Sequence, residues 1–415
     1  MATAIIQSGD YLLDMATGNQ TNEFILDTSL LNGPNLLDGE LEYADITPYT
    51  NQIIYKRGRH RVSDQQNQAG MLSFVMDDNA ASGNLNPLYT GGTFYDTVNN
   101  VPGLAPLRVV RLSRSGEYLF VGRVASYDYR YQLGGLDQVS VHCNDDQILL
   151  AQAILPETVT VEQLSSARLS AILANAAVAW PGTTAITTGT ATLGAHTVPE
   201  DSNASHYCQR IVDAEQGRLF MSRAGELTFQ PRIGTTLLGP SATFSDSGSD
   251  IPFNNITIEF DQNNVVNKAS VTIEGGTVQT ANDTTSQSLY FIQAVSQTNS
   301  LLSSNAQALT LADYLLEPDP VPRYTSVGVN FSMLTDPQRA TLATIEIGDT
   351  IQVTKAMLVG GSIAQNLAVE GIEAVITVSG GHTVTFYTSQ QLILFNLVLN
   401  DVVYGQMDST NVLGA

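Results

Sequence analysis

The residues able to do chemistry in this 415-residue chain are few and poorly spaced for it. None of its five histidines, at 60, 142, 196, 206 and 382, belongs to an H-E-x-x-H pair that would seat zinc on one helix face. The nearest metal set is His142-Cys143 with His206 and Cys208. Neighbours on a strand point to opposite faces, and residues two apart on a helix lie about 200° apart, so neither pair chelates one ion without distortion. The acid pairs Asp77-Asp78 and Asp145-Asp146 could flank a glycosidic bond, and Asp77, Asp78 and Asn79 could hold a cation. Each pair sits in a turn-like stretch, where Asp serves to cap backbone N–H groups, and that is the favoured reading. The stretch Asp213–Arg232, DAEQGRLFMSRAGELTFQPR, carries Glu215 and Glu226. They read as parts of a capped helix end and a hairpin whose Glu and Arg faces stay wet. There is no G-x-S-x-G elbow and no phosphate loop ending in Gly-Lys-Ser/Thr, so no catalytic residue, metal or cofactor is expected.

One basic cluster stands out, IIYKRGRHRV, with Lys56, Arg57, Arg59 and Arg61. Alternation along a strand would put the three arginines on one face. Two readings remain open: a docking patch for an acidic partner subunit, or pairing with the chain's own surplus Asp and Glu.

The elements that would hold these residues are mostly strands. From about Phe24 to Val141, short alternating runs are broken by Gly, Pro and Asn, the pattern of antiparallel sheet with tight turns. The clearest hairpin joins Val109–Leu112 to Tyr118–Val121 through Ser113-Arg114-Ser115-Gly116. The loops DDNAASGNLNP and YTGGTFYDTVNNVPG read as surface insertions too polar to carry a core. After Pro156 the period becomes helical. Val161, Leu164, Leu169, Ile172, Leu173 and Ala176 predict a helix with Thr160 and Gln163 as capping box and Trp180-Pro181 as its stop. A second helix is expected over Ala204–Gln216, closed by Gly217, then a small hairpin from Leu219–Met221 to Leu227–Phe229. Strand character returns in NNITIEF, VVNKASVTI, IQVTKAMLV, NLAVEGIEAVITV and HTVTFYTS, interrupted by helices ending at Pro318 and opening at Asp336-Pro337.

The expected fold class is therefore mainly β (α+β), with an N-terminal arm (1–20), a first β domain (21–153), an α/β insert (154–250), a second β-rich domain (251–390, possibly discontinuous) and a C-terminal strand or arm (391–415). No internal repeat of roughly 20 to 50 residues is visible.

Hydrophobic residues make up 43 % of the chain and charged residues only 14 %, enough apolar material for packed cores and no signature of disorder. The formal charge of −22 disfavours a basic nucleic-acid face. The longest apolar run, Leu392–Leu399, is broken by Asn396 and far short of the ~20 residues that span a bilayer, and no secretory signal is apparent, so synthesis in the cytosol is expected.

Several stretches together resemble siphophage minor tail proteins, chiefly of actinobacterial phages. They are Asp45-Ile-Thr-Pro-Tyr, Tyr55-Lys-Arg-Gly-Arg, Gln68 to Asn79 ending at Asn86-Pro, Ala214–Phe220 with Gly225–Arg232, Val266-Asn267, Ile347–Val353, Val369-Glu-Gly-Ile and Gly381–Phe386. The resemblance covers about Phe24 to Ser389. It implies a structural, non-enzymatic hub of the tail tip, located in the virion. It further implies two tube-like β-barrel domains per chain and a homotrimer that presents a six-fold-like ring to the distal tail ring, tail tube, tape measure and further minor tail proteins. Other readings are a distal tail or receptor-binding component, and a tail-associated glycan or peptidoglycan hydrolase.

Overall fold

A computed structural model describes residues 10–21, 40–60, 68–96, 100–232, 240–359, 361–378, 381–390, 395–396 and 411–412. The chain opens with β1 (Tyr11–Thr21), β2 (Glu40–Asp45), β3 (Thr50–Gly58), β4 (Met71–Asp77), β5 (Val109–Arg114), β6 (Glu117–Arg130) and β7 (Gln138–Asn144). Helices α1 (Ile148–Gln152), α2 (Ser165–Leu173) and α3 (Ala204–Glu215) follow, then β8 (Arg218–Met221), β9 (Leu227–Gln230), β10 (Ala242–Ser245) and β11 (Asn255–Glu259). A second excursion holds β12 (Lys268–Ile273), β13 (Gln279–Asn282), α4 (Thr284–Tyr290), β14 (Ala294–Ser300) and α5 (Asn305–Tyr314). The described chain continues through β15 (Arg323–Asn330), α6 (Asp336–Thr344), β16 (Thr350–Ala356), β17 (Ser362–Thr377) and β18 (Gly381–Gln390).

Thirteen of these strands share one sheet, in the order β2-β1-β5-β6-β7-β4-β3-β17-β18-β15-β11, with β16 on the other stretch of β17 and β10 beside β16. The order contains a repetition. A first unit reads β1-β5-β6-β7-β4-β3, and a second reads β10-β16-β17-β18-β15-β11. Taken along the chain, the first, second, third, fourth, fifth and sixth strand of each unit occupy the same places. Two features depart: β2, which pairs with β1, has no described counterpart beside β10, and the β10–β16 contact is parallel where β1–β5 is antiparallel. The units join where β3 pairs with Gly371–Thr377 of β17. The mainly β fold expected from alternation is thus present, and its repetition is invisible in sequence because strand order depends on which edges meet, not on which residues recur.

Period-two alternation builds the core of this sheet: in β4, Leu72, Phe74 and Met76 are each at most 1 % exposed. A single apolar cluster runs through both units, from Leu13 and Phe74 to Val369 and Phe386. The β5–β6 hairpin closes through Ser115 and Gly116, both with positive φ (49° and 89°), the two-residue turn whose twist matches that of the strands.

A second cluster lies outside the sheet and is built by two separate excursions, one carrying Leu169, Ile211 and Phe229, the other Val271, Leu301 and Leu311. Backbone bonds from Gly194 N to Leu301 O (2.8 Å) and from Ser303 N to Thr192 O (3.0 Å) tie them together. Residues near 269–312, which the sequence pattern assigns to the second β-rich domain, therefore share their core with the insert.

Other expectations need correction. Tyr11–Thr21 is a strand within the sheet rather than part of an arm, because Leu13 and Met15 are fully buried. The polar loop after β4 is not a superficial insertion: Ala81 and Leu85 reach the main core. Helix α2 starts only at Ser165, and Thr160 lies in a strand where its hydroxyl donates to His196 O at 2.7 Å, so Thr160 and Gln163 form no capping box. Helix α3 turns left-handed at Gln216 (φ 55°), not at Gly217. Gly217 is needed for space, since a Cβ there would lie 2.5 Å from Gln230 O. The cap of α6 is Thr335 with Gln338 in a capping box, one residue before Asp336. Of the C-terminal segment only Phe395–Asn396 and Asn411–Val412, paired in parallel, are described, so its reading as a strand or arm lies otherwise outside the described residues.

Candidate functional site

The seam where β3 meets β17 carries a network of paired charges around the buried Arg57 and Glu370. Strand β3 ends at Gly58, whose φ of 71° admits few side chains and whose Cβ, if present, would sit 2.3 Å from Glu370 O. This glycine lets the flanking arginines turn to different carboxylates. Arg57, 3 % exposed, donates through Nη1 to Glu346 Oε1 at 2.5 Å and to Met221 O at 3.3 Å. Arg59 donates through Nε to Glu370 Oε2 at 2.9 Å. Lys56 lies 3.0 Å from Glu373, which also accepts from Tyr387 at 2.8 Å.

The insert enters the same network through its hairpin. Arg218 of β8 donates to Glu370 Oε1 at 2.6 Å, and Ser389 of β18 donates to the same oxygen at 2.7 Å. In the turn between β8 and β9, Arg223 N donates to Glu346 Oε2 at 2.7 Å, and its guanidinium reaches Glu117 of β6 at 2.6 Å. Burial alone would push the Glu370 carboxyl up, but Arg218, Arg59 and Ser389 hold it down at about 2. Two carboxylates, Glu346 and Glu370, thus link both β units and the insert.

For Lys56, Arg57 and Arg59 the structure shows internal pairing, the second of the two readings open from sequence; Arg61 lies outside the described residues. The arginines do not share one strand face, since Arg57 points to the core and Arg59 lies beyond the end of β3. Sequence reading missed Glu346, Glu370 and Arg218 as partners. The signal available was Glu370 inside the apolar run Leu367–Ile376, because a carboxylate in a buried strand requires a cation.

The carboxylates that looked chemical are spent on backbone. Asp77 Oδ1 accepts from Asn79 N (2.9 Å), Asp78 Oδ1 from Leu85 N (2.9 Å), and Asp145 Oδ2 from Gly70 N (2.7 Å). Asp146 pairs with Arg123 at 2.7 Å. Burial pushes the Asp145 carboxyl up to about 7 in spite of its two N–H donors. Glu215 is not on a wet face: it is 2 % exposed and accepts from Ser165 Oγ (2.6 Å), Thr190 Oγ1 (2.7 Å) and Ala191 N (2.8 Å), which pins the loop before α3 to its last turn. Cys143 and Cys208 are buried thiols, and His142 faces Asp128 at 3.3 Å. Among the described residues no group of three or more His, Cys, Asp and Glu is placed to hold a metal ion.

A second contact between the units lies at their other side. His382 of β18 stacks on Phe331 (3.9 Å between ring centroids), and its Nδ1 is 2.7 Å from Tyr11 Oη of β1. Burial, and after it Arg114, depresses the His382 pKa to about 3, so the ring is neutral at physiological pH.

No protein-family model matches the chain, and no curated protein matches it in sequence. Its fold does match solved structures. A tail protein from Neisseria meningitidis MC58 is similar over 92 % of this chain and 97 % of its own, with 12 % identity and a TM-score of 0.59. The 43 kDa tail protein of prophage MuSo2 from Shewanella oneidensis gives 9 % identity and a TM-score of 0.56, over 92 % of this chain and 98 % of its own. Prophage tail protein gp18 from Listeria monocytogenes EGD-e gives 10 % identity and a TM-score of 0.50, over 92 % and 95 %. The likeness is one of fold: a mainly β architecture shared along nearly the whole length with these tail proteins, two of them from prophages.

Proposed function

We propose that this chain is a structural virion protein of a bacteriophage tail tip, a baseplate hub that closes or adapts the distal end of the tail tube through protein contacts alone. The observation that carries the reading is the pair of six-stranded units with one strand order, fused edge to strand. A chain with two similar units can meet a ring of six similar partners with three copies, and a closed ring leaves no sheet edge exposed. The fold shared with phage tail proteins supports the same reading. So do the ion pairs of Glu346 and Glu370, which tie three parts of the chain together.

On this reading the partners are further copies of the chain, the distal tail ring, the tail tube, the tape measure and other minor tail proteins. The net charge of −22 suits a channel through which DNA passes without being held. Sedimentation of the purified chain tests the stoichiometry: a mass of three 44.5 kDa subunits is expected. Six subunits would point instead to a distal ring, and absence of the chain from the tip of purified virions would end the hub reading. Release of sugars or peptides from cell-wall material by the pure protein would revive the hydrolase.

A further inference from the structure

The two units repeat details as well as strand order. The β6–β7 ladder slips by one residue between Val124 and Ser126, and the β17–β18 ladder slips between Val369 and Gly371. Aligning the slips sets Ser126 on Gly371, and their partners His142 on Tyr387. The alignment continues outward. Ser73 pairs with both His142 and Ile54, while Ser326 pairs with both Tyr387 and Thr257, so Ile54 corresponds to Thr257.

Within the chain, Gly371–Thr377 of β17 is flanked on both sides, by β18 and by β3. Its counterpart, Ser126–Arg130 of β6, pairs with β7 on one side and with no described strand on the other. The counterpart of β3 is β11, which pairs with β15 and likewise with no described strand beyond it. The two halves of one missing ladder therefore lie at separate edges of the same molecule. Their exposure fits. Tyr55 and Arg57 of β3, covered by β17, are each 3 % exposed, whereas Ile258 and Phe260, at the corresponding places, are 43 % and 67 % exposed.

Resting on the oligomeric hub reading above, we propose that β11 of one copy pairs antiparallel with Ser126–Arg130 of a second copy, repeating between chains the β3–β17 ladder found within each. The internal register of Val375 opposite Ile54 sets Arg130 opposite Thr257, Tyr129 opposite Ile258 and Tyr127 opposite Phe260. Ile258 and Phe260, exposed at the β11 edge, are then covered by the half-buried Tyr129 and Tyr127 of the other edge. The contact joins unlike edges, so it repeats head to tail and closes when its rotation matches that of the internal joint. One pair differs from its internal counterpart: where Lys56 meets Glu373 at 3.0 Å inside the chain, Glu259 meets Asp128 between chains.

Disulfide trapping on the full chain tests the pairing. Opposed residues on adjacent strands have Cα atoms about 4.5–5.5 Å apart, within the ~4.4–6.8 Å that a disulfide spans. Chains carrying Arg130→Cys mixed with chains carrying Thr257→Cys are expected to give covalent dimers under mild oxidation, and neither variant alone should, since Cys143 and Cys208 are buried. The double variant is expected to give a covalent ring. Glu259→Lys, a surface change that restores the internal charge pair, is expected to tighten self-association about tenfold, roughly what one favourable charge pair in place of a repulsive one contributes. Oligomers of the expected mass that neither cross-link nor respond to Glu259→Lys would overturn the strand pairing and leave the hub reading intact. A chain that sediments as a monomer at its highest soluble concentration and does not cross-link would overturn both.

Discussion

At the scale of residues, Glu370 is the point on which the seam turns, since Arg59, Arg218 and Ser389 all converge on its carboxylate in a site that is 3 % exposed. Removing one partner of a buried ion pair leaves the others charged and unsolvated, and Glu370→Gln is expected to cost about 3–5 kcal/mol in urea unfolding. The pH dependence has a definite sign. The folded-state pKa, about 2, is below the ordinary 4.5, so the contribution of Glu370 is complete above about pH 4.5 and is lost as pH falls toward 2. The stability gap between wild type and Glu370→Gln should therefore narrow over that window; a gap that stays constant from pH 5 down to about 2 would remove the carboxylate from this role. Asp145 works in the opposite sense. Its pKa of about 7 means that ionisation is disfavoured by the fold, and its share of stability declines as pH rises from 3.8 toward 7.

At the scale of elements, two glycines separate conformation from space. Gly116 has φ 89° and nothing within 4 Å, so Gly116→Ala should cost only the left-handed backbone term of about 1–2 kcal/mol. Gly58→Ala meets Glu370 O at 2.3 Å on top of its φ of 71°, and its melting temperature is expected to fall clearly further in a thermal scan; equal losses would show that the seam yields to a methyl group. Individual strands are legible in the sequence because alternation in runs such as Leu72–Met76 is a local pattern. Periodicity also finds the helix over Ser165–Leu173 but starts it too early, since Thr160 forms its hydrogen bond with His196, a partner that local spacing does not encode. The basic cluster is visible, but its carboxylates at 346, 370 and 373 lie far along the chain, and a contact between distant strands leaves no trace in either one's periodicity. The insert core escapes sequence reading for the same reason, being assembled from two excursions that β10 and β11 separate.

At the scale of the molecule, the first unit cannot be finished when its own residues are complete, because the outer side of β3 pairs only with Gly371–Thr377. On a ribosome adding about 5–20 residues per second, the roughly 300 residues between them take about 15–60 s to emerge. Throughout that interval β3 has an open edge carrying Ile53, Ile54 and Tyr55, a ready template for another nascent chain. Charged residues on an edge strand oppose such pairing. A fragment ending at residue 360 and carrying Lys56→Ser and Arg57→Ser is therefore expected to scatter more light on refolding than the same fragment with the natural residues, and equal scattering would refute the idea. More scattering from the variant would mean that Lys56 and Arg57, which end as partners of Glu373 and Glu346, act earlier as well, keeping an unfinished half soluble during synthesis until the strand that completes it has been made.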